Sequence, residues 1–216
     1  MKILKIPNQI IKGSLTPLKP ARVDAIVLHH MAHETAGVKT IEQWHINQGW
    51  SAIGYNYWID YEGTVYEGRG FNVGAGVANE NGHIINIGFQ GDYHNDSSKM
   101  PDAQFNAGIE LIEHLYNVLG KRVAIKGHRD FGGSVCPGQY FPFNEMASLK
   151  KRGEVEEMPQ ENIYNWTLAC PEWSRPYVQK ALDLKWIIGN EKGELQLTDD
   201  KIWTLVVLLR SHGIME

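Results

Sequence analysis

The chain has 216 residues, more than one average domain needs and fewer than two, which permits one domain with a small appendage. With 43% hydrophobic and 21% charged residues it is neither a disordered tail nor a fibre, and its two cysteines, Cys136 and Cys170, exclude a disulfide-dense scaffold and a four-cysteine zinc site. The net charge of −4 is divided evenly about Ala147, so no basic arm points to nucleic acid and none is expected as a partner.

No apolar run approaches the ~18–20 residues of a membrane span, and no membrane insertion is expected. The N-terminal MKILKIPNQIIKG carries Lys5 and Pro7 where a signal peptide needs an apolar stretch. Synthesis in a cytoplasm without a secretory signal is the expectation, with both thiols reduced there.

In chain order, DAIVLH (24–29) is a short run of branched residues that reads as a buried strand. Thr40 to Gln48 has helical spacing of Ile41, Trp44 and His45, stopped by Gly49. GYNYWID (54–60) alternates like a strand, turns at Glu62-Gly63 and returns through Thr64-Val65-Tyr66 as a hairpin. Residues 68–83, rich in glycine and asparagine, form an irregular loop. Asn86 to Gln90 is a further strand. Pro101-Asp102 opens an amphipathic helix carrying Phe105, Ile109, Ile112, Leu115 and Leu119, ended by Gly120. Lys121 to Lys126 is a short strand leading into Gly127-His128. This alternation implies an α/β layered domain over 1–147.

From Phe143 a terminal helix fades into a charged linker, placed at 148–162. A small helical domain at 163–216 follows. Trp173 to Trp186 is helical, with Val178, Ala181 and Leu182 as its stripe and Gly189 as its end; Thr198 caps a last helix with Ile202, Leu205, Val206 and Leu209. Two helices make a marginal core, so this part is expected to lean on a partner or on the first domain.

Eight of the nine histidines lie at or before His128, so histidine chemistry belongs to the first domain. His29-His30 ends a strand, His128-Arg129-Asp130 follows another, and Cys136-Pro137-Gly138 comes shortly after. Two histidines and one cysteine form a known catalytic zinc set with an open fourth position. His29 and His30 face opposite sides of their strand, His30 with Ile26 and Leu28, His29 with Val27, and periodicity alone does not choose between them. Tyr55 read from its strand alone is a hairpin core aromatic.

The series LHHMA (28–32), QWHINQGWSAIGYNYWIDYEGTVYEGRG (43–70), NIGFQGDY (86–93) and GHRDFGGSVCPG (127–138) resembles the zinc-dependent N-acetylmuramoyl-L-alanine amidases related to peptidoglycan recognition proteins, a family that includes many phage endolysins. The resemblance runs through most of 22–142. It implies a central mixed β-sheet flanked by helices, and Zn2+ held by His29, His128 and Cys136. It implies a catalytic Tyr55, the first tyrosine of GYNY. The family has Lys or Thr near the scissile carbonyl two residues before the cysteine; Ser134 stands there, a second catalytic candidate that keeps a hydroxyl donor but no charge. The family's loop often reads Gly-Ala-His; here it is Gly74-Ala75-Gly76, without the histidine. His30, Asp130 and Glu42 are candidates to orient the ligating histidines, which usually donate their other N–H to a carboxylate or carbonyl.

The implied reaction is hydrolysis of the amide between N-acetylmuramic acid and L-alanine of the stem peptide, with bacterial peptidoglycan as partner and an endolysin waiting in the host cytoplasm until lysis. A non-catalytic peptidoglycan-binding protein on the same fold is the rival; such members commonly lose the cysteine. A cytoplasmic muropeptide-recycling amidase is a third reading. WSRPYVQKALDLKWIIGNEKGELQLT resembles an S-layer-homology-type cell-wall module, here in one copy and with Thr198-Asp199 where that family usually has Thr-Arg. Trp166, Trp173, Trp186 and Trp203 cluster in this region, suited to stacking on sugars or to filling a core. Wall binding by this domain is the expectation.

Overall fold

Strands β2 (Ala25–His30) and β5 (Ile84–Phe89) are buried at every residue, as branched apolar runs in a parallel sheet covered on both faces must be. The computed structural model describes residues 1–153, 164–165 and 167–215, in two units, Met1–Glu154 and Val155–Glu216. The first unit is built on six strands: β1 (Ile3–Lys5), β2, β3 (Tyr57–Ile59), β4 (Val65–Glu67), β5 and β6 (Ala124–Gly127), in the order β1-β4-β3-β5-β2-β6. Only β3 and β4, the expected hairpin, pair antiparallel; all other pairs are parallel. The sheet is mixed and flanked by helices.

The two faces of the sheet differ. Ile26, Leu28, Ile85, Ile87, Tyr57 and Ile59 share the main core with Phe105, Ile109, Ile112 and Leu115 of α2 (Asp102–Leu119). On the opposite face, Trp58 packs with Met31 and with Val38 and Ile41 of α1 (Val38–Asn47). Paired residues of adjacent strands share a face. The register His29↔Gly88↔Trp58 therefore sends His29 away from α2, while His30 lies on the α2 side with Ile26 and Leu28. This is the choice that alternation alone leaves open.

Several boundaries move. β1 escapes a sequence reading because it is a three-residue edge strand, with Lys5 paired to Glu67 at 2.5 Å on the rim. α1 starts at Val38, which packs on Ile41, and its buried stripe takes Ile46 instead of Trp44, which is exposed and meets His33 edge-on. β5 begins at Ile84, ahead of Asn86. Glu42 is fully buried, paired with Lys39 and accepting the Ile10 N–H at 2.9 Å; it ties the N-terminal segment to α1.

The first unit continues past Ala147. α3 (Phe143–Ala147) is followed by a segment anchored through Arg152, whose guanidinium lies 4.0 Å from the Phe105 ring centroid and donates to the Met100 carbonyl at 2.8 Å and to Glu145. Asn106 clamps the Arg152 backbone from both sides, accepting its N–H and donating to its carbonyl. So 148–153 is packed structure where a linker is expected, and the rest of that expected linker lies outside the described residues, as does Trp166.

In the second unit, α4 (Arg175–Asp183) and α5 (Asp199–Ser211) share a core of Cys170, Val178, Ala181, Leu197, Ile202, Leu205 and Leu209. α4 stops well before Gly189. Lys185 takes φ +61, and the N–H groups of Trp186 and Lys185 bond back to the Ala181 and Leu182 carbonyls, the double closure of a Schellman motif. Thr198 caps α5, its Oγ1 accepting the Lys201 N–H at 3.3 Å. Trp173 and Trp203 are both exposed, with ring centroids 4.9 Å apart, so they are not core residues of the described unit. Among the described residues no helix is long and apolar enough to cross a membrane.

Candidate metal centre

β6 lies beside β2 with Leu28 opposite Gly127. The next residue of each strand, His29 and His128, therefore sits at one level at the end of the sheet, with ring centroids 5.0 Å apart. The loop after His128 folds back on itself. Gly127 N–H donates to Asp130 Oδ2 at 2.8 Å, Arg129 N–H donates to the Cys136 carbonyl at 2.7 Å, and the Cys136 N–H donates to Ser134 Oγ at 3.1 Å. These bonds return Cys136 to the histidines. One donor atom from each of His29, His128 and Cys136 lies within 4.8 Å of the others, and Cys136 Sγ is 3.7 Å from His29 Nδ1.

The donor set suits a tetrahedral dication. Zn–N and Zn–S bonds in a tetrahedron hold their donor atoms roughly 3.5 Å apart, close to the Nδ1···Sγ separation. Burial lowers the His29 pKa to about 3 and also lowers that of His128, so both imidazoles are neutral at pH 7 and offer lone pairs. Burial raises the Cys136 thiol to about 11, so a thiolate there needs a cation beside it. Two neutral imidazoles and one thiol awaiting a cation fit zinc.

Tyr55 joins the same cluster. Its ring lies 5.3 Å from that of His29 and 5.6 Å from that of His45. Gly88, the strand neighbour of both His29 and Trp58, makes room for it: a Cβ at Gly88 would lie 3.0 Å from the Tyr55 ring and 2.7 Å from the Met31 methyl. Desolvation and the nearby Cys136 push the Tyr55 phenol above its ordinary range, so it keeps its proton at neutral pH. His45, stacked on Trp50 at 4.5 Å, accepts the Gly54 N–H through Nδ1 at 3.1 Å and fixes the backbone just before Tyr55.

The partners proposed for the histidines are elsewhere. His30 accepts the Tyr93 N–H at 3.0 Å and faces Asp92, a wall residue. Asp130 is spent on the Gly127 N–H, and Glu42 on α1. The group that meets His29 Nε2, at 2.9 Å, is Asn86 Oδ1. Its signal in the sequence is a lone amide inside the apolar run Ile84 to Phe89.

The N-acetylmuramoyl-L-alanine amidase family model matches residues 19–139, which hold all three donors and Tyr55. The chain belongs to this amidase family. Peptidoglycan-recognition protein SC2 of Drosophila simulans is 36% identical over 125 residues, covering 52% of this chain and 66% of that protein. An endolysin of Enterobacteria phage T3 is 31% identical over 125 residues, covering 54% of this amidase-family chain and 82% of the endolysin. Among solved structures, the endolysin N-acetylmuramoyl-L-alanine amidase LysCS from Clostridium intestinale aligns with TM-score 0.62 and 27% identity, covering 68% of this chain and 93% of that one. The chain thus spans 66% of the recognition protein and most of both endolysins, and the family match at 19–139 lies within its first unit.

Proposed function

We propose that this chain is a zinc-dependent peptidoglycan amidase that cleaves the bond between the lactyl group of N-acetylmuramic acid and L-alanine, working as an endolysin that reaches the wall from the host cytoplasm at lysis. The observation that carries this reading is the complete His29, His128 and Cys136 donor set with Tyr55 against it. The rival reading, a recognition protein that binds without cutting, does not need a thiol ligand, and Cys136 is retained. Of the third reading, the recycling of soluble muropeptides, the second unit is the discriminating feature, since a soluble substrate needs no tether.

His29, His128 and Cys136 would hold zinc, which would supply Lewis acidity toward the amide carbonyl and toward water. The chain's own residues supply the rest. His29 and His128, neutral because they are desolvated, direct lone pairs inward. Tyr55 donates its phenolic proton in a hydrogen bond to the carbonyl oxygen as negative charge gathers there. Ser134, whose Oγ already accepts from the Cys136 backbone, holds the ligand loop and keeps its own O–H as a second donor. The elements of water add across the C–N bond: the lactyl carbon gains the oxygen and the alanine nitrogen leaves as an amine. Digestion of purified peptidoglycan tests the reading. Hydrolysis is expected from zinc-loaded protein, lost on chelation and recovered on returning zinc; binding without hydrolysis supports the recognition protein.

The second unit is proposed to tether the enzyme to the wall, which raises the local concentration of an insoluble substrate. The exposed Trp173 and Trp203 pair supports this, since indole faces stack on sugar rings. A chain ended after Gly153 keeps Arg152 seated on Phe105 and is expected to stay folded and to load zinc, yet to lose sedimentation with intact walls. Undiminished sedimentation rejects the tether. Ending the chain after Ser148 also removes Arg152, and its lower melting temperature would confuse the comparison.

A further inference from the structure

We infer that Asn86 is the positioning residue of His29, and that Gly74 and Gly76 are glycines because Asn86 occupies the space their side chains would fill. This inference rests on the metal site proposed above and names what sets the geometry of one of its donors.

Asn86 is fully buried in the centre of the sheet, on the same face as His29 and Gly88. Its Oδ1 lies 2.9 Å from His29 Nε2, and His29 Nδ1 lies 3.7 Å from Cys136 Sγ. The two ring nitrogens thus have different jobs. An amide oxygen only accepts, so Nε2 must carry the hydrogen, and the lone pair is left on Nδ1, the nitrogen facing the thiol. A neutral imidazole has no other arrangement that satisfies the amide oxygen.

The orientation of the amide is set by a network of three asparagines. The Asn86 Nδ2 group donates to Asn81 Oδ1 at 3.2 Å and lies 3.4 Å from Asn56 Oδ1. Asn56 Oδ1 also accepts the Asn86 backbone N–H at 2.8 Å, and its own Nδ2 is used on the Gly70 and Asn72 carbonyls. Asn81 Oδ1 accepts the N–H groups of Gly76 and Val77. With acceptors on the Nδ2 side, the amide is held with its oxygen toward His29.

The loop over this network comes unusually close. A Cβ at Gly76 would lie 2.5 Å from Asn86 Oδ1 and 3.0 Å from His29 Nε2; one at Gly74 would lie 2.5 Å from Asn86 Nδ2. The two 2.5 Å distances to the Asn86 amide are contacts that Cβ atoms do not make. The family's frequent Gly-Ala-His cannot be accommodated here while Asn86 stays in place. The departure at Gly76 and the buried amide at Asn86 are therefore one feature: the loop gives up a side chain so that an amide can reach the ligand histidine.

The decisive reading is taken on the wild-type protein without metal. Imidazole nitrogen chemical shifts, with His29 assigned by loss of its signals in His29→Gln, are expected to show the Nε2–H tautomer, whether or not zinc is then added. An Nδ1–H tautomer in the metal-free protein overturns the inference. Zinc affinity, measured by chelator competition, gives the second arm. Asn86→Ala is expected to bind zinc about 10–100-fold more weakly. Asn86→Asp, which keeps an oxygen facing Nε2, is expected to recover most of that loss, and Asn81→Ala, which loosens the same loop but leaves the acceptor, to lose much less than Asn86→Ala. Equal weakening in Asn86→Asp and Asn86→Ala, or wild-type affinity in Asn86→Ala, assigns Asn86 to loop structure alone. If Asn86→Ala does not fold, Asn86→Asp and the wild-type tautomer still decide. Failure of the metal site itself is separate: the wild-type protein then binds no zinc, while the tautomer can still be read.

Discussion

Tyr55→Phe is expected to keep its zinc and lose peptidoglycan hydrolysis by about two orders of magnitude or more in kcat. The Tyr55 ring is held between His29 and His45 over the space left by Gly88, and the phenylalanine ring occupies the same volume, so neither the core nor the three donors are disturbed. What is removed is the O–H donor that the proposed mechanism directs at developing negative charge, and losing one such donor costs about 10²–10³ in kcat. The elevated phenol pKa matters to this prediction, because a tyrosinate has no proton to give. The loss is expected in kcat more than in KM, since the charge is present only near the transition state. Turnover unchanged in Tyr55→Phe removes the role. Loss of zinc together with activity moves Tyr55 from chemistry to support of the site.

Cys136→Ser is expected to abolish activity by a different route, through loss of most of the zinc. Of the three candidate donors only a Cys136 thiolate would carry formal charge, and burial raises the thiol pKa to about 11, so a bound cation and the thiolate would stabilise each other. A serine hydroxyl in the same place stays protonated and is a poor ligand. Metal content per chain checks this, with about one zinc expected in the wild type. The fold is expected to survive, because Cys136 is only half-buried and its loop is closed by backbone bonds from Arg129 and by Ser134, neither of which uses the sulfur. A Cys136→Ser protein that keeps both zinc and full activity contradicts the assignment of this residue.

The features visible in the sequence are those with strong local signals. The apolar run before His29, the stripe of α2, the turn at Glu62-Gly63 and the Thr198 cap all appear where their patterns place them. The donors were legible as residue types at the ends of strands, but only the family resemblance chose His29 over His30, and the physical reason lies in tertiary structure: α2 covers the face of Ile26 and Leu28 and leaves the other face to the site. Asn86 was not legible as a partner of His29. The two residues are far apart in sequence and meet only because β5 lies beside β2, and a rule that looks for carboxylates beside ligand histidines points to Asp130 and Glu42 instead. The packed segment 148–153 has the composition of a linker; its anchoring depends on Arg152 meeting Phe105 and Asn106 on α2.

The central claim, that this chain hydrolyses the amide joining the sugar to the stem peptide, is tested most directly by the products of purified sacculi digested with zinc-loaded protein. Mass spectrometry is expected to find stem peptides released with an unblocked L-alanine amine and glycan strands bearing free lactyl carboxylates. New reducing sugar ends, or no soluble product from protein shown to carry zinc, would contradict it.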